Sequence, residues 1–180
     1  MVDRRGSRAR AAREDLPATL EKLAPAPLAT ISFPPDPRMI GREDRLKELV
    51  EAILTQERPI LVPGALGMGK TTLALAAAYA PEIVKHFGRD RRFFVNLEPV
   101  PDADGVIPTL ASTLSLDASA AIAVLEQAIA DACAARPALV ILDNMETPWS
   151  KETAATEATL GRLAGIAGLH LIVTVRGEAP

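Results

Sequence analysis

Along this chain, stretches with apolar residues every three or four positions alternate with short runs that are apolar throughout. After Gly41-Arg42-Glu43, the residues Leu46, Leu49, Val50, Ile53 and Leu54 fall on one stripe of a predicted helix, which Pro59 stops. Glu43 and Lys47 are spaced to pair on its surface. Ile60-Leu61-Val62 reads as a short buried strand, Lys70 to Ala80 as a helix, and Arg92 to Leu97 as a second strand. Ile107 to Leu116 reads as helical. Asp117 is then placed to cap a further helix, with Ile122, Leu125, Ile129 and Cys133 on its buried side and Pro137 at its end. Leu139 to Leu142 is a third strand, apolar on both faces. Thr147-Pro148 reads as an N-cap and first-turn proline opening a helix that buries Leu160, Leu163 and Ile166. Leu169 to Val175 completes the pattern as a fourth strand.

Strands apolar on both faces, separated by helices, require a sheet covered on each side. The predicted fold is therefore α/β: a three-layer α/β/α sandwich around a mostly parallel sheet. Ahead of it, Pro25 to Pro37 is proline-rich and reads as an extended lead-in. Residues 1 to 13 hold five arginines against the single acid Asp3. That stretch reads as a disordered tail, with organelle targeting or an anionic partner as the other readings. The domain division expected is a basic, proline-rich leader over 1–33 and a folded domain over 34–180.

The chemistry is concentrated in Gly64-Ala65-Leu66-Gly67-Met68-Gly69-Lys70-Thr71-Thr72, which fits G-x-x-x-x-G-K-[ST] at every fixed position. Backbone N–H groups can converge on phosphate oxygens only where no Cβ blocks the approach or where φ is positive, so glycines recur. The helix starting near Lys70 directs its positive end at the same anion. Lys70 would neutralise the β and γ oxygens and the Thr71 hydroxyl would ligate Mg²⁺.

Asp143 ends the apolar run Leu139-Val140-Ile141-Leu142. A carboxylate at the C-terminal tip of a buried parallel strand faces the crevice where such sheets bind ligands, which makes it the expected second Mg²⁺ residue. Many P-loop hydrolases place another carboxylate next to that aspartate to orient water. Here the position holds Asn144, and the nearest acid is Glu146. An amide is a poor proton acceptor, so slow hydrolysis is expected. Thr174 and Arg176 close the fourth strand, where Arg176 could reach a γ-phosphate.

Composition narrows the partners. The 180 residues carry a net charge of −3 and no overall basic field, which disfavours nucleic acid as the main partner. The lone Cys133 cannot form an internal disulfide. No apolar stretch reaches bilayer-spanning length, and a cytoplasmic location is expected. A guanine-reading N/T-K-x-D motif does not occur, which by itself leaves the choice between adenine and guanine open.

Taken together, "IGREDRLKELV", "GALGMGKTTLALA", "VKHFGRDRRFFVNL", "LVILDNMETPW" and "LHLIVTVRG" resemble the NB-ARC branch of STAND-class P-loop NTPases, over roughly residues 34–178. The stretch from "RRFFVNLE" to "IVTVRGEAP" is similar to NB-ARC–tetratricopeptide proteins. The resemblance implies that Ile40, Gly41 and Arg42 form part of an adenine pocket. It implies that Gly64 to Thr72 bind phosphate and Mg²⁺, that Asp143 is the Walker B aspartate, and that Arg176 is the sensor arginine. It further implies an ADP-held resting state opened by exchange for ATP, with protein partners and oligomerisation. Members of that family continue into a further strand, a helical domain and a winged-helix domain beyond the point matching Pro180. They often carry a glycine pair where Ala65-Leu66 stand.

The function expected is an ADP/ATP-binding regulatory switch with slow or absent hydrolysis. A small metabolite kinase is an alternative, although the only arginines after the third strand are Arg162 and Arg176, and neither sits in a lid-like segment. A non-catalytic interaction module is the other.

Overall fold

The computed structural model describes residues 33–37, 39–55 and 58–177. The expected 1–33 leader lies outside the described residues except for Phe33. The elements run α1 (Glu43–Thr55), β1 (Ile60–Gly64), α2 (Lys70–Tyr79), α3 (Pro81–Phe87), β2 (Arg92–Asn96) and α4 (Val106–Thr113). They continue with α5 (Ile122–Ala135), β3 (Ala138–Asp143), α6 (Glu146–Lys151), α7 (Thr153–Ala164) and β4 (Leu169–Arg176).

The four strands form one parallel sheet in the order β1-β4-β3-β2. Alternation along each strand feeds two cores. Leu139, Ile141, Ile172 and Val62 face α1, α2 and α3, where Ile53, Ile83 and Phe87 are fully buried. Val140, Leu142, Leu171 and Val173 face α4, α5 and α7, with Leu110, Ile129 and Leu163. These are the three layers expected. In α2 the run Ala74-Leu75-Ala76-Ala77-Ala78 is buried, and its small side chains let that helix lie under α1 and against the sheet.

Two neighbouring arginines fasten helix ends. Arg91 is buried and donates to the carbonyls of Ala132 and Arg136, both at 2.7 Å, closing the C-terminal end of α5. Arg92 donates to the Ala78 carbonyl at the end of α2 and lies over the rings of Phe33 and Tyr79, 5.1 and 4.9 Å from their centroids. Burial pushes the Arg92 guanidinium below its ordinary value. The Tyr79 hydroxyl donates to the Pro34 carbonyl at 2.7 Å, so the incoming chain is strapped onto the end of α2.

Several local expectations are corrected. Leu54 is 37% exposed, while the rest of the α1 stripe is buried at Leu49, Val50 and Ile53 and partly buried at Leu46. Glu43 turns back to accept the Gly41 N–H at 3.0 Å, and Lys47 faces Glu51 instead. Asp117 caps no helix: it accepts from the Ser119 N–H and hydroxyl in a local turn, and α5 starts after Ala121. Thr147-Pro148 lies inside the short α6. The chain breaks at Glu152 (φ −143°, ψ 69°) before α7 buries Leu160 and Leu163, leaving Ile166 half-buried beyond its end. α3 had no counterpart in the sequence pattern.

Candidate functional site

The parallel register brings the chemistry to one edge of the sheet. Asn96 stands beside Asp143, and Gly64 beside Arg176. Between β1 and α2 the loop turns on Gly67 (φ 76°) and Gly69 (φ 74°), left-handed conformations that glycine adopts without steric cost. A Cβ on Gly67 would meet nothing within 4 Å, so the requirement there is backbone conformation, not packing. Gly69 is the N-cap of α2 and offers no capping side chain, which leaves first-turn N–H groups free to meet an anion together with the helix dipole.

Lys70 folds across this turn, its Nζ donating to the carbonyls of Gly64 at 2.8 Å and Ala65 at 3.2 Å. Arg42 reaches in from the start of α1 and donates to the Met68 carbonyl. Leu66 and Met68 lie on the outer side of the loop, 75% and 51% exposed. Thr72 is half-buried in the first turn of α2.

At the centre is Asp143, 5% exposed. One of its oxygens accepts the Thr71 hydroxyl at 2.7 Å and the fully buried Thr174 hydroxyl at 2.6 Å. The Thr174 oxygen in turn accepts the Asn144 N–H at 3.1 Å. Asn144 is left-handed (φ 61°), and its side-chain amide donates to the Asn96 oxygen at 3.0 Å. Asn96 and Thr174 thus belong to the site's hydrogen-bond network. Asn96 was not singled out in the sequence, because the strand partner that gives it a role is about fifty positions away.

Arg176 does stand next to the loop in register, but its guanidinium and N–H are directed to Glu146, with Nε 3.6 Å from one carboxylate oxygen and N 3.1 Å from the other. Of the expected adenine-pocket residues, Gly41 and Arg42 line a groove of about 800 Å³ between α1 and β1, together with Leu49, Ile60, Val62 and Met68. Ile40 is 89% exposed and does not line it. Hydrogen bonds from its own N–H and that of Gly41 hold the Glu43 carboxyl at the groove mouth below the ordinary carboxylate range.

The donor set fits Mg²⁺. A hydroxyl and a carboxylate share one point, both hard oxygen ligands, and no cluster of three or more His, Cys, Asp or Glu side chains occurs among the described residues. Mg²⁺ in phosphate sites takes few protein ligands and draws the rest from phosphate and water.

No protein-family model matches the sequence, and no curated protein matches it. Solved structures do match in shape. Drosophila ORC bound to DNA aligns with a TM-score of 0.54 at 21% identity, over 90% of this chain and 40% of that one. Cdc6p from Pyrobaculum aerophilum aligns with a TM-score of 0.52 at 17% identity, over 82% of this chain and 42% of that one. The chain thus spans about two-fifths of the length of these neighbours. With the sheet order and the glycine loop, the likeness defines a P-loop NTPase fold. It carries fold and not ligand: the NB-ARC assignment gains nothing from it, and neither does the expectation against nucleic acid, since one neighbour was solved on DNA. No helix among the described residues is long and apolar enough to cross a membrane.

Proposed function

We propose that the chain is the nucleotide-binding core of a regulatory NTPase of the NB-ARC type, a domain over 34–180 behind a basic leader, which binds ADP and ATP with Mg²⁺ and hydrolyses slowly. The observation that carries this reading is the carboxylate of Asp143 held by Thr71 and Thr174 beside a loop that turns on left-handed Gly67 and Gly69 into the uncapped start of α2. Thr71 and Asp143 would hold Mg²⁺, which supplies charge neutralisation at the phosphates. Lys70 and the free N–H groups of α2 would bind phosphate oxygens. The base would lie in the groove beside Gly41 and Arg42.

Slow turnover follows from Asn144. Its side-chain N–H donates to Asn96, and the next acid, Glu146, is engaged by Arg176. The residue that follows Asp143 carries an amide, a poor acceptor of a proton from water. The kinase alternative loses one candidate arginine: Arg162 is bonded to Glu126 at 2.7 Å and to Thr159, in the layer opposite α2. A switch that governs protein partners is the role such a site serves when hydrolysis is slow.

Calorimetric titration with ADP, ATP and GDP in Mg²⁺, alongside phosphate release, tests the reading. One adenine nucleotide per chain, weaker GDP binding and turnover well below about 1 s⁻¹ are expected. Turnover comparable to that of fast ATPases, or a phosphorylated product in an acceptor screen, would overturn it.

A further inference from the structure

Glu146 opens α6 three residues beyond Asp143, and both of its oxygens are engaged by Arg176. The backbone fixes this arrangement. After β3 ends, the chain stays attached to β4: the Asn144 N–H donates to the Thr174 hydroxyl at 3.1 Å and the Met145 N–H to the Thr174 carbonyl at 3.0 Å. The Arg176 N–H to Glu146 contact, at 3.1 Å, is the next rung of the same ladder. The Glu146 side chain is accordingly 21% exposed, while that of Arg176 is 55% exposed and less confined. Arg176 stands in register with Gly64, the first glycine of the loop. A fixed carboxylate therefore holds the arginine nearest the phosphate cradle on β4.

From this geometry we propose that Glu146 determines nucleotide specificity: it competes with the terminal phosphate of a nucleoside triphosphate for the Arg176 guanidinium and biases the site toward the diphosphate. The proposal rests on the nucleotide reading above. A diphosphate is accounted for by the loop N–H groups and Lys70 and asks nothing of Arg176. A third phosphoryl group adds negative charge that draws on the Arg176 guanidinium, which Glu146 attracts through Nε at 3.6 Å. Exposed ion pairs are weak, so the bias is modest, roughly two- to fivefold in affinity ratio.

The test is calorimetric titration of the 180-residue protein with ADP and with AMPPCP, a non-hydrolysable triphosphate, in Mg²⁺ at physiological salt. Glu146→Gln retains an oxygen to accept the Arg176 N–H and so preserves the turn, and thermal melts confirm folding. Glu146→Ala is the second variant and carries the same expectation. Both tighten AMPPCP roughly two- to fivefold and leave ADP unchanged. In an Arg176→Ala background the gain falls within error, since direct repulsion across solvent is screened. Equal tightening of both nucleotides, an unchanged ratio, or a gain that persists without Arg176 overturns the proposal. A folded wild type that binds neither nucleotide refutes the nucleotide reading itself and the competition with it.

Discussion

The Thr71 hydroxyl donates to the Asp143 carboxylate at 2.7 Å, joining the first turn of α2 to the tip of β3 across 72 positions of sequence. Thr174 reaches the same oxygen from β4, so the carboxylate orientation is set by two neighbouring elements. On the proposed reading, side chains pre-set in this way would lower the cost of ordering the site when an ion and phosphate bind.

Thr71→Val keeps the side-chain volume and removes the hydroxyl. The Mg²⁺-dependent part of nucleotide affinity should fall by roughly tenfold or more. Stability should drop by no more than about 1.5 kcal/mol, the net worth of a typical hydrogen bond. Titrations with and without chelator, beside urea melts, measure both. Undiminished Mg²⁺ dependence would remove Thr71 from the ion site.

Asn144→Asp tests the proposal that the amide beside Asp143 keeps turnover slow. Aspartate tolerates the left-handed backbone at this position, so the turn should survive. A carboxylate there can accept a proton, and general-base assistance contributes about 10²-fold or more. Single-turnover phosphate release should rise accordingly, and more so when Asn96 is also changed to Ala. An unchanged rate would place the limiting step elsewhere.

Arg92→Ala removes the clasp on the end of α2. The Ala78 carbonyl loses its donor and the rings of Phe33 and Tyr79 lose the guanidinium between them. A cost of about 2 kcal/mol in chemical denaturation is expected, with faster proteolysis near residues 33–37. Loss of stability without that change in cleavage would separate the helix-end role from the strap.

Asp90 gives a pH-dependent outcome. Its hydrogen bond with Arg136 holds its carboxyl below the ordinary range. The folded value is depressed, so the stabilisation is present above the unfolded value of about 3.9 and is lost as pH falls through the folded value. Asp90→Asn should lower the melting midpoint slightly near neutral pH and converge with wild type in strong acid. The pair is largely exposed, so the difference should be small and should shrink further in high salt.

Much of this site could be read from short stretches of sequence. The P-loop is a local object, with glycines, lysine and threonine all within one turn, and Asp143 was legible as the tip of an apolar strand. Strand order was not legible, and with it went the roles of Asn96 and Thr174, which exist only because β2 and β4 flank β3. Arg91 and Arg92 read as charges in "RDRRFF", yet Arg91 binds carbonyls at the end of α5 and Arg92 the Ala78 carbonyl at the end of α2. The break at Glu152 has no proline or glycine to announce it, so α6 and α7 read as one helix. Asp117 had the right type for a cap but found a closer partner in Ser119.

The most direct measurement is the identity of any nucleotide carried by the purified protein, released by heat and resolved by chromatography, with Lys70→Ala beside it. Stoichiometric adenine nucleotide in the wild type, or one-to-one binding of added ADP with Mg²⁺, is expected, with loss of either in the variant. A folded wild type that carries no nucleotide and takes up neither ADP nor ATP would contradict it.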